Sequence, residues 1–173
     1  MFENTIEQPF AQDAEQVVVA SCLLTDGADT FDVVSQIVSA TDFYDPVCGI
    51  LFTCMQELAK DNKPIDEITV FDKVRRKGLE EDIGGITGLY DVQNKVQTSL
   101  MSLNASRIVK ERSQARALLL ASRNTVESIL GGSTADSVAV VLDKSLREIT
   151  DEKSARDSIK DASESLKDKL EAQ

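Results

Sequence analysis

The chain has no histidine and no tryptophan, three prolines, three cysteines and only 5% aromatic residues among its 173 positions. The missing imidazole removes the commonest general base, and with it the Ser-His and Cys-His nucleophile pairs. Hydrolase chemistry loses its main support. Cys22, Cys48 and Cys54 are odd in number and lack the short C-x2-C type of spacing that holds zinc. They are expected to be buried structural thiols in a reducing compartment. No apolar stretch approaches the roughly 18 to 20 residues needed to cross a bilayer, and no signal-peptide pattern opens the sequence. These absences predict a cytoplasmic protein with no membrane partner.

What is present suits helices. Hydrophobic residues make up 42% of the chain, enough for one sizeable core, and Ala, Leu, Lys, Glu, Asp and Ser outnumber the aromatic residues that favour sheets. The formal charge is −11, and it is unevenly placed: residues 1–100 hold 18 acids and 7 bases, whereas residues 101–173 hold 12 of each. A net-negative surface repels a phosphate backbone, so direct DNA binding is disfavoured and basic protein partners are favoured.

After a loose polar arm over residues 1–10, Asp13 can cap a first helix carrying Ala14, Val17, Val18, Ser21 and Leu24, with Gly27 at its end. A second short helix is expected over 30–38. Asp45-Pro46 opens a third, in which Ile50, Leu51, Met55 and Leu58 face inward, and 60–63 form a turn. Asp66 and Thr69 resemble a cap for a fourth helix through Val70 and Val74, which Gly78 stops. Ile83-Gly84-Gly85 makes a turn before a fifth with Leu89, Val92 and Val96. Residues 1–98 are therefore predicted to form a small helical globular subdomain.

From Ile108 the rhythm changes. Positions 108, 112, 115, 119, 122, 126 and 129 step by four and three, placing Ile108, Arg112, Ala115, Leu119, Ser122, Val126 and Ile129 on one coiled-coil-like seam. Gly131-Gly132-Ser133 interrupts it, and Val138, Leu142, Ser145 and Ile149 resume it, which predicts a helical hairpin over 99–151. So polar a seam buries little apolar area and calls for another protein surface. Residues 152–173 read as a charged helix with one narrow stripe, Ala155, Ile159, Ala162, Leu166 and Leu170, suited to a groove elsewhere.

Motifs for chemistry are weak. Gly84-Gly85-Ile86-Thr87-Gly88 lacks the Lys-Ser or Lys-Thr of a phosphate loop, and its G-x-x-G lacks basic flanks for RNA; a turn entering a helix accounts for it. Lys73, Arg75, Arg76 and Lys77 could touch nucleic acid or an acidic partner, or simply complement the end of a helix dipole. Arg112, Arg116 and Arg123 share a stripe that is either solvated or a dock for an acidic surface. No catalytic, cofactor-binding or metal-binding residue is assigned.

Five phrases, taken in order, resemble the N-terminal domain of DnaB-type bacterial and phage replicative helicases: Asp13-Ala14-Glu15-Gln16, Thr41-Asp42-Phe43-Tyr44, Pro64-Ile65-Asp66, Ile83-Gly84-Gly85 and Ile108-Val109-Lys110-Glu111-Arg112. No single phrase is specific, but five at the family's order and spacing are hard to obtain by chance. The resemblance spans residues 9 to about 150, and the chain stops where the ATPase domain of such a helicase would begin. It implies an all-α fold: a globular subdomain, a helical hairpin and a C-terminal linker helix. It also implies a collar assembled as a trimer of dimers through paired hairpins, which receives primase and, in some systems, a loader. On this basis Ile108, Arg112, Ala115, Arg116, Leu119, Val126, Val138, Leu142 and Ile149 would serve the hairpin, its dimer and its partners. Ile159, Leu166 and Leu170 would dock on an adjacent subunit's ATPase domain. ATP and magnesium would belong to a longer parent. Two alternatives stand beside it: a self-standing phage-type adaptor or decoy that binds a host helicase, loader or primase, and an unrelated helical enzyme or metal protein.

Overall fold

The computed structural model describes residues 8–24, 27–96 and 98–149. The expected linker helix, with Ile159, Leu166 and Leu170, lies outside them. The described residues contain helices and turns and no strand, in agreement with the all-α expectation. They fall into two compact units, divided between Ser113 and Gln114.

The first unit is built around α3, Pro46–Lys60. The Asp45 carboxylate accepts the Val47 N–H at 2.8 Å, and Pro46 occupies the first turn, where its missing N–H does no harm. Leu51, Phe52 and Met55 are completely buried. Phe52 lies 5.2 Å, ring to ring, from Phe31 of α2 (Gly27–Val34) and 4.9 Å from Phe43. α4, Glu67–Arg76, begins as expected: the Thr69 N–H donates to Asp66 Oδ1 at 2.8 Å and the Asp66 N–H to Thr69 Oγ1 at 3.2 Å. Such reciprocal capping is worth about 1 kcal/mol. Gly84, at φ +75°, turns the chain into α5, Gly85–Gln93, in the left-handed conformation that only glycine adopts freely. Val70 and Val74 of α4 and Leu89 and Val92 of α5 complete the same core.

Two local expectations are corrected. α1 runs from Gln12 to Ser21 behind an Ala11 cap that makes no side-chain bond, so Asp13 sits inside the first turn and acts on the helix dipole instead. Gly27 does not close α1; it opens α2, which starts three residues before the expected 30. A Cβ there would stand 2.2 Å from the Cys22 carbonyl oxygen, so packing, not chain termination, requires the glycine.

The long helix α6, Ser102–Leu130, joins the first unit through its opening turns: Ala105 and Val109 belong to the core and Ser102 and Ser106 are buried. A second part of that link is polar. Asp42, ending a 3-10 turn over Ala40–Asp42, is buried, and its Oδ2 accepts the Ser39 N–H at 2.8 Å. Its Oδ1 accepts Lys110 Nζ at 2.9 Å and Ser113 Oγ at 2.7 Å. Burial alone would raise this carboxyl group, but the bonds from Lys110, Ser39 and Ser113 outweigh it and hold the pKa below the ordinary carboxylate value.

The sign of the pH effect follows. Because the folded-state pKa is depressed, the contribution is complete above the unfolded pKa of about 3.9 and is lost as pH falls through the folded value. Asp42→Ala is expected to destabilise the chain by about 3 kcal/mol, the low end for breaking a buried pair, since Lys110 partly reaches water. Urea melts at neutral pH and below pH 3 test this; a difference between wild type and variant that did not shrink in acid would refute the assignment.

Candidate protein-docking surfaces

The second unit holds the remainder of α6 and α7, a helix over 135–149. Between them Gly132 takes φ +88°, and the Ser133 N–H reaches back to the Ser128 carbonyl at 3.0 Å, sealing the end of α6. A helical hairpin is present, but the first unit runs to Ser113 rather than to the expected 98, because Ala105 and Val109 pack into its core, and the hairpin's two sides are made differently. On α7, Val138 is buried and Leu142, Ser145 and Ile149 are half-buried, as the seam required. On α6 the facing residues are Ala121, Asn124, Thr125 and Ser128, which line a 150 Å³ recess together with Ser137, Val138, Leu142 and Ser145.

The expected α6 stripe therefore does not close the hairpin. Leu119, Ser122, Val126 and Ile129 are exposed, Val126 by 56%, while Ala115 and Arg116 are half-buried. The inner residues 121, 125 and 128 are offset by about two positions, or roughly 200° around a helix, so the stripe points the opposite way. Small side chains let two helices approach, and the bulky ones are left outside with Leu118, Leu120, Leu130, Val140 and Leu146, while Val141, though largely exposed, borders the recess. Ile108 and Arg112 belong to the first unit and are also exposed, as is Arg123 on the second.

The basic cluster on α4 is matched by acids. Lys73 and Lys77 both bind Glu57, the former at 3.0 Å, and Lys73 also approaches Asp61 at 3.8 Å. Arg76 bonds Asp72 at 2.8 Å and Arg75 lies 3.7 Å from Glu80. Lys77 and then Lys73 hold the Glu57 carboxyl below its ordinary pKa. Cations so engaged offer little to a phosphate backbone. All three cysteines are buried and form no disulfide with one another, and burial raises the Cys48 thiol well above the ordinary range and raises the Cys54 thiol too, which disfavours the reactive thiolate. No group of three metal-capable side chains occurs among the described residues, and no described helix is long and apolar enough to cross a membrane.

Sequence reasoning assigned no role to Glu15, although the structure makes it central. Its side chain is 1% exposed at residue level and reaches from α1 to the start of α3. Both carboxylate oxygens accept the Tyr44 N–H at 3.0 Å, and Oε2 accepts the Asp45 N–H at 2.8 Å. Phe10, expected in a loose arm, stacks on Tyr44 with ring centroids 5.1 Å apart. Phe10, Gln12, Glu15, Tyr44, Asp45 and Pro46 enclose a recess of about 310 Å³.

With this geometry in place, the chain can be compared with known proteins. Residues 7–111 match the sequence model described as the DnaB-like helicase N terminal domain. The replicative DNA helicase DnaB of Haemophilus influenzae is 28% identical over 141 residues, covering 82% of this chain and 30% of the relative. The replicative DNA helicase DnaC of Bacillus subtilis is 29% identical over 164 residues, covering 92% of this chain and 35% of the relative. The chain thus spans about a third of the length of these curated relatives. The crystal structure of the N-terminal domain of DnaB helicase from Mycobacterium tuberculosis superposes with a TM-score of 0.73 at 29% identity, over 84% of this chain and 99% of that one.

The paired state of Lys73, Arg75, Arg76 and Lys77, together with the net charge of −11, sets an expectation for DNA. Fluorescence anisotropy of a labelled oligonucleotide should not rise on adding the chain at physiological salt. Tight binding that weakens steeply with added salt would contradict this account of the surface.

Proposed function

The chain belongs to the DnaB-like helicase N terminal domain family, and from that premise we propose that it is a non-catalytic assembly module of a hexameric replicative helicase. Its hairpin joins subunits in pairs within a collar, and its surfaces receive primase or a helicase loader. The observation that carries this reading is the apolar side chains left outside the hairpin: Leu119, Val126 and Ile129 on α6 and Val140 and Leu146 on α7. The inner seam is narrow and built from small, partly polar residues, so the larger apolar area faces outward, where a monomer in water gains nothing from it.

Ala115 and Arg116 flank this surface on α6, whereas Val138, Leu142 and Ile149 contribute indirectly, by fixing α7 against α6. Ile108 and Arg112 are exposed on the first unit and are assigned to partner contacts there. Docking of Ile159, Leu166 and Leu170 on an adjacent ATPase domain would connect the collar to the motor. Binding and hydrolysis of ATP with magnesium would take place in that motor, outside the residues described.

Fully burying one Leu or Val side chain contributes about 1.5–3 kcal/mol, or roughly 10- to 100-fold in an association constant. Leu119→Asp and Val126→Asp should each weaken self-association in sedimentation equilibrium by at least about tenfold, with the helical circular dichroism signal and melting of the first unit retained. Unchanged association would remove this face from the assembly. Calorimetric titration with the cognate primase tests the second half of the proposal, which fails if no heat of binding is found for the associated wild-type chain.

A further inference from the structure

We propose that the recess beside the first turn of α3, walled by Phe10 and Tyr44 and edged by Asp45, is a docking site for an arginine side chain on a basic segment of a partner protein. Three observations converge there. The first is electrostatic. Glu15 and Asp45 both spend their carboxylates on N–H groups at the start of one helix, and a helix N-terminus offers only about half a positive charge. Two anions against half a cation leave net negative charge at the recess. Among the described residues no lysine or arginine pairs with either acid, and residues 1–59 contain neither basic residue type.

The second observation is the aromatic pair. Phe10 is 45% exposed and Tyr44 47%, although their rings lie nearly parallel at 22°. A stacked pair left half open is a surface on which a planar cation can lie, drawn by the negative faces of the rings. The third is shape. A recess of about 310 Å³ is at the lower limit for a ligand cleft, roughly 300 Å³, which suits one long side chain better than a cofactor.

The chemistry favours arginine over lysine. A guanidinium is flat, stacks on rings and donates to a carboxylate from two nitrogens at once, whereas an ammonium is a compact and strongly hydrated point charge. Asp45, half-buried, is the acid within reach. Glu15 is too deep to be touched and supplies field. That field is already felt inside the protein: after burial itself, the charges of Asp45 and Glu15 are what raise the nearby Cys48 thiol. The same charge excludes nucleic acid as the occupant.

The test uses the whole chain labelled with nitrogen-15 and two blocked tripeptides, acetyl-Gly-Arg-Gly-amide and its citrulline counterpart, which has the same shape without the charge. The arginine peptide should shift the amides of Phe10, Gln12, Tyr44 and Asp45 with millimolar affinity, and the citrulline peptide should not. Asp45→Asn keeps a good helix cap while removing the charge, and it should weaken the arginine peptide by about fivefold. Tyr44→Ala should do the same; if it does not fold, Asp45→Asn alone decides. No shift at these amides, an equal response to citrulline, or undiminished binding in Asp45→Asn would each overturn the proposal.

Discussion

Asp42 sits where a short turn, the serine before it and two side chains of the long helix meet, and the attachment of α6 to the first unit depends on it. The apolar part of that attachment is modest, because the buried residues of α6 are Ser102, Ala105, Ser106 and Val109. At about 0.8 kcal/mol per buried carbon group, Ala105 and Val109 contribute roughly 3 kcal/mol. Losing one partner of a buried ion pair costs a comparable amount. Neither half is dispensable, and the polar half also fixes register, since Lys110 and Ser113 can meet the same Asp42 oxygen at only one rotation of the helix.

The same device recurs. Asp42, Asp45 and Asp66 each accept an N–H at the beginning of a helix or turn, and Glu15 does so from a distance of 29 residues in sequence. The acidity of the N-terminal half is therefore partly architectural. With no histidine in the chain and no base before Lys60, backbone N–H groups serve as the partners of these carboxylates, joined at Asp42 by the Lys110 ammonium. An acidic composition that looked like advice about partners is also a method of starting helices.

How much of this was legible in the sequence depended on range. Asp45-Pro46, Asp66 with Thr69 and Ile83-Gly84-Gly85 announced α3, α4 and α5 because a cap or a turn is settled by neighbours within four residues. The hairpin was legible for the same reason, from its interruption at Gly131-Gly132. Which face of α6 closes it was not. Leu118, Leu119, Leu120 and Ala121 are consecutive and cover every side of the helix, so periodicity could not choose. The choice falls to close approach, which favours Ala121, Thr125 and Ser128 over the more hydrophobic stripe. Glu15 was invisible because its partners lie 29 and 30 residues away, at the entry to α3, and Asp13, a plausible cap by identity, falls two residues inside the helix. The ordered phrases that resembled a helicase domain succeeded because they sample a hundred-residue stretch, 13–112, together, which local rules do not.

The inner seam of the hairpin, small and partly hydroxylated, has a consequence for the life of an unassembled subunit. Two helices joined through Ala121, Thr125, Ser128, Ser137 and Ser145, with Val138, Leu142 and Ile149 as the larger apolar residues, bury little surface, and anything that binds only the closed form shifts their opening by mass action. Were the outer face to pair subunits as proposed, the order of α7 would become a function of protomer concentration. A subunit without a neighbour would present this segment to proteases that sample open states. The weakness of the seam would thereby act as proofreading, sparing chains that have found their place and exposing those that have not.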